Sequence, residues 1–170
     1  RGGSKRIPRK NIRPFHGKSI LLYSIECALQ ANLFRKIIVS TDDAEIASIA
    51  VAAGAAIHMR AKELADDQTG TQAVVKAVLE TLRLHDQDSG QACCVYATAP
   101  LMRPYDLKRG YDVLLRRLSC YAFSVGTEPL QDAGQWYWGK ISSFLNDVPL
   151  YDDRSAMVPI EASRVCDINT

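Results

Sequence analysis

The first eleven residues, Arg1-Gly2-Gly3-Ser4-Lys5-Arg6-Ile7-Pro8-Arg9-Lys10-Asn11, gather two glycines, a hydroxyl, five cations and a carboxamide, and no acid occurs before Glu26. Glycines let a backbone approach a ligand closely and present bare N–H groups. Arg and Lys bring full charges to phosphate oxygens, Arg in a bidentate fork. That is chemistry for holding a polyphosphate. The same composition also suits a solvated basic loop, and the leading Arg-Gly-Gly suits an RNA-binding arm. Gly17-Lys18-Ser19 imitates the end of a Walker A loop, but Ile12 stands where that motif needs its first glycine.

Other chemistry-bearing residues are dispersed. Arg60, Thr69 and Thr71 bracket a polar stretch, Asp167-Ile168-Asn169-Thr170 closes the chain, and Gln135-Trp136-Tyr137-Trp138 is an aromatic run. The aromatic run reads as packed core or subunit contact as readily as a ligand site. No Ser–His–Asp set, HExxH motif or cysteine nucleophile is evident, and His16, His58 and His85 are scattered. Cys27, Cys93, Cys94, Cys120 and Cys166 are odd in number and lack zinc spacing. They fit small core residues in a reducing cytosol.

The elements that would position these residues follow a strand–helix rhythm. Ser19 starts a helix whose apolar face is Ile20, Leu21, Ser24, Ile25, Ala28 and Leu29. Residues 35–41 form a strand, and Thr41-Asp42-Asp43 caps a helix over 45–53 that Gly54 ends. A second strand covers 55–59, a polar loop 60–71 and a helix 73–84. After a connection at 86–90, a buried strand over 92–96 runs into Ala97-Thr98-Ala99-Pro100. Pro104 opens a helix through Leu118, and 120–125 is another strand. This order argues for right-handed βαβ units and a parallel sheet. Ligands bind beyond the carboxyl ends of such strands, which brings the first loop, Thr41, Arg60 and Thr98 to one edge. From Gly126 the rhythm breaks. Residues 128–151 mix turns with a short aromatic strand, 146–159 reads as loop, and 164–167 as a last short strand.

A chain of 170 residues, 47% apolar and 24% charged, can bury a sizeable core as one globular unit. No apolar run approaches the roughly 20 residues of a membrane span. The net charge of +2 hides an asymmetry: residues 1–18 hold seven Lys or Arg and no acid, leaving fourteen bases against nineteen acids. A local basic patch on an acidic body suits a small anion better than a nucleic acid.

The spacing R-x-G-S-K-x-x-x-x-K-N, Arg1 to Asn11, resembles the signature loop of the sugar-acid cytidylyltransferases. These enzymes activate neuraminic, legionaminic and pseudaminic acids as CMP-sugars, and the loop wraps the triphosphate of CTP. Ile38-Val39-Ser40-Thr41-Asp42-Asp43 resembles their second-strand motif. Arg60-x-x-Glu63-Leu64-Ala65-Asp66-Asp67 resembles their R-P-x-E-L-A-x-D segment, with Ala61 and Lys62 replacing a Pro-Ala pair. Val165-Cys166-Asp167-Ile168-Asn169-Thr170 resembles their terminal D-[IV]-[DN]-T motif.

The resemblance implies a Rossmann-like, mostly parallel, GT-A-like α/β nucleotidyltransferase. It would occupy 1–170 as one domain, with a small irregular sugar-binding or dimerisation segment over about 128–160. Against the family pattern, the chain is expected to lack a first strand and a last helix. Nucleotide binding falls to Arg1, Gly2, Gly3, Ser4, Lys5, Lys10 and Asn11, with Arg60, Thr69 and Thr71 on the cytosine. Arg1, Lys10 and Asp167 would be catalytic, and Asp167 with Asn169 would hold Mg²⁺. Asn169, a neutral residue, would act directly or through water. Tyr96, Thr98, Gln135 and Tyr137 would face the sugar.

Tyr96-Ala97-Thr98-Ala99-Pro100 replaces the Q-P-T-S-P run of neuraminate enzymes, and with Asp132-Ala133-Gly134-Gln135-Trp136-Tyr137-Trp138 is similar to the pseudaminic acid cytidylyltransferases. The implied partners are CTP and a nonulosonic acid, in a cytoplasmic homodimer bound to neither nucleic acid nor membrane. The alternatives are a CMP-N-acetylneuraminate or legionaminate synthetase, and a non-catalytic nucleotide- or RNA-binding module.

Overall fold

In a computed structural model, the chain is described throughout except at Lys5, Asp67, residues 86–89, Asp167, Asn169 and Thr170. A small antiparallel pair, β1 (Pro14–Phe15) and β2 (Lys18–Ser19), leads into helix α1 (Ile20–Ala31). Strand β3 (Ile38–Thr41), helix α2 (Ala44–Ala52) and strand β4 (Ala56–Met59) form the expected βαβ unit, and the two strands pair in parallel. Helix α3 (Thr71–Thr81) precedes β5 (Gln91–Val95), and α4 (Pro104–Arg116) precedes β6 (Tyr121–Thr127). Then come β7 (Leu130–Lys140), the short α5 (Ile141–Leu145) and β8 (Ala156–Pro159).

Four strands form a mixed sheet in the order β5-β7-β6-β8. Strand β7 runs antiparallel to both its neighbours, whereas β6 and β8 are parallel. The expectation of a mostly parallel sheet therefore holds for β3–β4 and β6–β8, and β7 makes the whole mixed. Where a short strand among turns is expected, β7 is eleven residues long and central. Residues 156–159, expected in a loop, extend the sheet as β8. Residues 162–164 coil into a 3₁₀ turn, and of the last strand expected over 164–167 the described residues 164–166 lie in no strand.

The reason for the long β7 is burial. Trp136, Tyr137 and Trp138 are all at most 3% exposed, so the aromatic run is core. Trp136 and Trp138 pack with Leu107, Leu114, Cys27 and Ala31 on the α1/α4 face. Tyr121 on β6 meets Phe144, Leu79 and Ile141 on the α3/α5 face. Helices thus cover both faces of the sheet. Gly110 lets α4 lie against the sheet, since a Cβ there would stand 2.4 Å from the Trp136 ring. Truncating so large a buried ring costs about 3–5 kcal/mol.

Helix boundaries shift modestly. On α1 the buried face takes in Cys27 and Ala31, and Leu29 is turned outward. The third helix begins two residues earlier than its apolar pattern predicts, at Thr71, whose hydroxyl lies 2.6 Å from Tyr96 Oη. The fourth stops at Arg116, and Leu118 adopts a left-handed φ of 51°. Strands β3 and β5 share no ladder hydrogen bonds, yet residues of both line one cavity of about 1770 Å³.

Candidate active site

That cavity collects most of the residues singled out by sequence. From the first loop come Arg1, Ser4, Lys10 and Asn11; from the stretch after β4 come Arg60, Thr69 and Thr71. Tyr96 and Thr98 follow β5, and Tyr137 comes from β7. Val165 and Cys166 bring the terminal motif to the same wall. Gly2 and Gly3 belong to the same loop but do not line it, and Gln135 lies outside it. Lys5, Asp167 and Asn169 fall outside the described residues.

The loop is pinned to the end of β3. The Gly2 N–H donates to Asp42 Oδ1 over 2.8 Å. A Cβ at Gly2 would sit 2.4 Å from Asp43 Oδ2, so only glycine lets the chain pass here. Arg9, left-handed at φ 57°, pairs with both Asp43 and Glu45. Asp43 also caps α2 by accepting from the N–H groups of Glu45 and Ile46, each at 3.0 Å. The Arg9 guanidinium, aided by the Ile46 N–H, holds the Asp43 carboxyl below the usual range. Asn11 Nδ2 donates to Arg1 O at 3.0 Å, so this amide braces the loop backbone. Lys10 Nζ reaches Ile168 O at 2.8 Å, joining the loop to the terminal motif.

Arg60 turns inward. Its Nη2 donates to Ser40 O at 2.8 Å and its Nε to Ser40 Oγ at 3.2 Å, rather than pairing outward with Glu63 or Asp66. Ser40 Oγ in turn lies 3.0 Å from His58 Nδ1. Burial lowers the pKa values of both Arg60 and His58, and Arg60 lowers that of His58 further. Thr69 is held by Asp66, whose Oδ1 accepts from its N–H at 2.6 Å and its hydroxyl at 2.7 Å.

The opposite wall is aromatic. Thr71 Oγ1 and Tyr96 Oη are 2.6 Å apart, and the Tyr96 and Tyr137 rings are tilted at 5.5 Å. Gln135 is buried, donates its Nε2 to Arg164 O at 2.6 Å, and leaves Oε1 without a partner among the described residues. Arg164 itself forms a buried pair with Asp106. Cys94 lines the cavity, but burial pushes its thiol up to about 12, so it is no ready thiolate nucleophile.

Sequence reasoning missed Arg9, Ser40, Asp42, Asp106 and Arg164 as parts of this frame. Arg9 is one cation among many, and the others are ordinary polar residues whose partners lie far off in sequence. Asp43 was legible as a helix cap.

A basic, glycine-bearing loop against the carboxyl end of a parallel strand pair is the arrangement of a nucleotide-binding α/β protein. Comparison with known proteins agrees: the cytidylyltransferase family model matches residues 1–127. The chain is 33% identical over 204 residues to the pseudaminic acid cytidylyltransferase of Campylobacter jejuni, covering 100% of this chain and 88% of that one. It is 32% identical over 114 residues to the CMP-N,N'-diacetyllegionaminic acid synthase of Legionella pneumophila, covering 66% of this chain and 49% of that protein. In fold it resembles CMP:2-keto-3-deoxy-manno-octonic acid synthetase complexed with CTP, with a TM-score of 0.75 at 14% identity. That match covers 95% of this chain and 87% of the other.

The chain belongs to the cytidylyltransferase family. Among the described residues no helix is long and apolar enough to cross a membrane. Nor do three or more His, Cys, Asp or Glu residues gather among them as a metal cage.

Proposed function

We propose that the protein transfers CMP from CTP to a nonulosonic acid, releasing pyrophosphate, and that pseudaminic acid is its preferred acceptor. The observation that carries this reading is the convergence of the basic loop, Arg60 and the Tyr96–Tyr137 wall on one cavity. Arg1, Ser4 and Lys10 hold the triphosphate, and Gly2 lets the loop backbone lie against the end of β3. Arg60, Thr69 and Thr71 read the cytosine, whose acceptors and amino group match a guanidinium and hydroxyls. Tyr96, Thr98 and Tyr137 face the sugar acid, and Gln135 supports that wall from behind.

The sugar hydroxyl attacks the α-phosphorus in line, its proton is released to water, and the bond from the α-phosphorus to the bridging β-phosphate oxygen breaks, so that pyrophosphate leaves. No covalent intermediate on the protein is required. Arg1 and Lys10 neutralise the charge that develops on the departing pyrophosphate, so catalysis is positioning and electrostatics. A divalent cation, Mg²⁺ in this reading, would be held by Asp167, with Asn169 as a direct or water-mediated neighbour. The chemistry fits, because Mg²⁺ takes one or two carboxylates and completes its shell with phosphate oxygens and water. The contact of Lys10 with Ile168 O supports bringing that motif to the phosphates. Such an ion, when bound, screens the phosphate charge and orients the leaving group.

The aromatic wall favours a deoxygenated, acylated sugar over a polyhydroxylated one, since it offers ring surface and few donors. The reading takes the enzyme as a cytoplasmic homodimer, which light scattering would test for assembly. Pyrophosphate release from CTP, pseudaminic acid and Mg²⁺ tests the reaction. Tight RNA binding with a steep salt slope and no pyrophosphate would replace it with a binding module. Equal or better kcat/KM with N-acetylneuraminic acid would leave only the family.

A further inference from the structure

Arg60 is held in place by a chain of contacts that ends outside the cavity. Strands β3 and β4 pair in parallel with Ser40 opposite His58. The Arg60 N–H carries the ladder one residue further, donating to Thr41 O at 2.8 Å. Side chains alternate along a strand, so Ser40, His58 and Arg60 share one face. Ile57 packs with Ile46 and Ala50 of α2 on the other. Ser40 and Arg60 line the cavity, and His58, half-buried, stands behind them.

The direction of each hydrogen bond follows from the donors. A guanidinium only donates, so Ser40 Oγ accepts from Arg60 Nε at 3.2 Å. The hydroxyl proton then needs an acceptor, and His58 Nδ1 at 3.0 Å is the one within reach among the described residues. His58 is therefore neutral, with its own proton on Nε2. Burial first, and the Arg60 charge second, lower the His58 pKa and keep the ring in that form. Asp42 after β3, Cys94 on β5 and Arg1 on the first loop act on Arg60 in turn. Helix α3 lines the cavity here through the uncharged Val74, Val75 and Val78, and the acid of α2, Glu45, is taken by Arg9.

We propose that His58 is a positioning residue for the nucleotide: by accepting the Ser40 proton at Nδ1 it turns the hydroxyl oxygen to Arg60 Nε, which fixes the guanidinium on the cytosine of CTP. The inference rests on Arg60 as a contact to the base. It adds a residue that touches no substrate, and it makes CTP affinity sensitive to pH. When His58 gains a proton, Nδ1 becomes a donor, two donors face the Ser40 oxygen, and a second cation stands beside Arg60. The fork then loosens. CTP affinity is complete above the ordinary histidine value of about 6.5, where His58 is neutral, and falls as pH drops through the lower folded value.

Substitutions at His58 test this. His58→Leu removes the acceptor. His58→Asn sets an amide oxygen near the position of Nδ1 and does not titrate. His58→Leu placed on Ser40→Ala asks whether His58 acts through the hydroxyl. KM for CTP, KM for the sugar acid and kcat are measured from about pH 8 to about pH 5, a range that spans histidine titration. The titration of CTP itself is common to all the proteins and cancels in their ratios.

At the alkaline end His58→Leu is expected to raise KM for CTP about fivefold, the size of one neutral hydrogen bond, with kcat and KM for the sugar acid within about twofold. His58→Asn should stay within about twofold of wild type there. Towards the acid end the wild-type KM for CTP should climb about fivefold relative to that of His58→Asn. On Ser40→Ala, His58→Leu should add less than about twofold, because the proton it would accept is gone.

An unmoved KM for CTP in a folded His58→Leu protein overturns the inference. So does a wild-type pH profile parallel to that of His58→Asn, or full additivity with Ser40→Ala, and the proposed reaction stands in each case. If His58→Leu does not fold, the His58→Asn profile decides alone. A wild-type protein that releases no pyrophosphate from CTP with either pseudaminic or N-acetylneuraminic acid sinks the reaction instead. The calorimetric Kd for CTP, across the same variants and pH range, then decides the role of His58 by itself.

Discussion

Lys10 donates its ammonium to the carbonyl of Ile168 over 2.8 Å, linking residues 158 positions apart. The contact joins the basic loop to the terminal motif, and a phosphate oxygen can replace the carbonyl as acceptor. Replacing Lys10 with alanine removes a charge-assisted hydrogen bond from the resting protein and a full charge from the transition state.

Lys10→Ala is expected to lower kcat by roughly 10²-fold or more, the scale of one preorganised electrostatic contact. Its ligand-free melting temperature should fall by only about 2–4 °C, corresponding to about 1 kcal/mol in a chain of this size. Near-normal turnover in the folded variant would remove Lys10 from the reaction.

Asp106 and Arg164 form a pair that is 3% and 9% exposed, 58 positions apart. Asp106 also accepts from the Arg103 N–H at 2.9 Å, closing the first turn of α4, and the Arg164 carbonyl accepts from Gln135. Arg164→Met leaves the carboxylate buried without its counter-ion, at an expected cost of about 3–5 kcal/mol. Asp106→Asn combined with it should cost less than the two single changes summed, since the pair acts as a unit. Denaturant midpoints measure this; strict additivity would show that the two residues act separately.

Much of the site was legible because its local signals agree. Thr41-Asp42-Asp43 ahead of an apolar run marks a strand end and a helix cap, and Asp43 does cap α2. Once βαβ order is granted, the first loop, Arg60 and Thr98 must meet at one edge, and they do. Strand β7 was not legible at its length. Gln131, Asp132 and the left-handed Gly134 interrupt its first half, and its partners β5 and β6 are fixed by tertiary packing. The Asp106–Arg164 pair leaves no periodic trace, and neither does the sharing of the Asp132 carboxylate by the Tyr137 and Tyr151 hydroxyls, which both donate to it. Such contacts depend on chain segments whose meeting no local pattern encodes.

The Asp43 carboxyl is held below its ordinary range chiefly by Arg9 and then by the Ile46 N–H. Folding therefore favours the ionised form. The contribution is complete above the ordinary aspartate value of about 3.9 and fades as pH falls through the lower folded value. Asp43→Asn retains a capping side chain but loses this titration. Its melting temperature should decline less steeply than that of the parent between roughly pH 5 and pH 2. Parallel curves would show that Arg9 contributes nothing through Asp43.

Asp167 follows Val165 and Cys166, which line the cavity, in the motif that Lys10 touches. If it holds the divalent ion, Asp167→Asn should raise the Mg²⁺ concentration for half-maximal activity by roughly tenfold or more, as loss of a charged hard ligand does. Thermal stability without ligand should be nearly unchanged. An unaltered Mg²⁺ dependence would assign the ion to other groups.

The last prediction concerns the base. Arg60 uses Nη2 on the Ser40 carbonyl and Nε on the Ser40 hydroxyl, and that hydroxyl is shared with His58. The guanidinium is thereby fixed on one side and keeps Nη1 for a ligand. Ser40→Ala removes the hydroxyl contact and spares the backbone one, so the fork can swing. KM for CTP should rise about five- to tenfold, the size of one neutral hydrogen bond, with kcat and the KM for the sugar acid unmoved. Arg60→Lys keeps the charge and loses the planar fork, and should raise KM for CTP further, by roughly 10–100-fold. A fall in kcat with KM for CTP unchanged, in either variant, would move Arg60 from the base to the reacting phosphates.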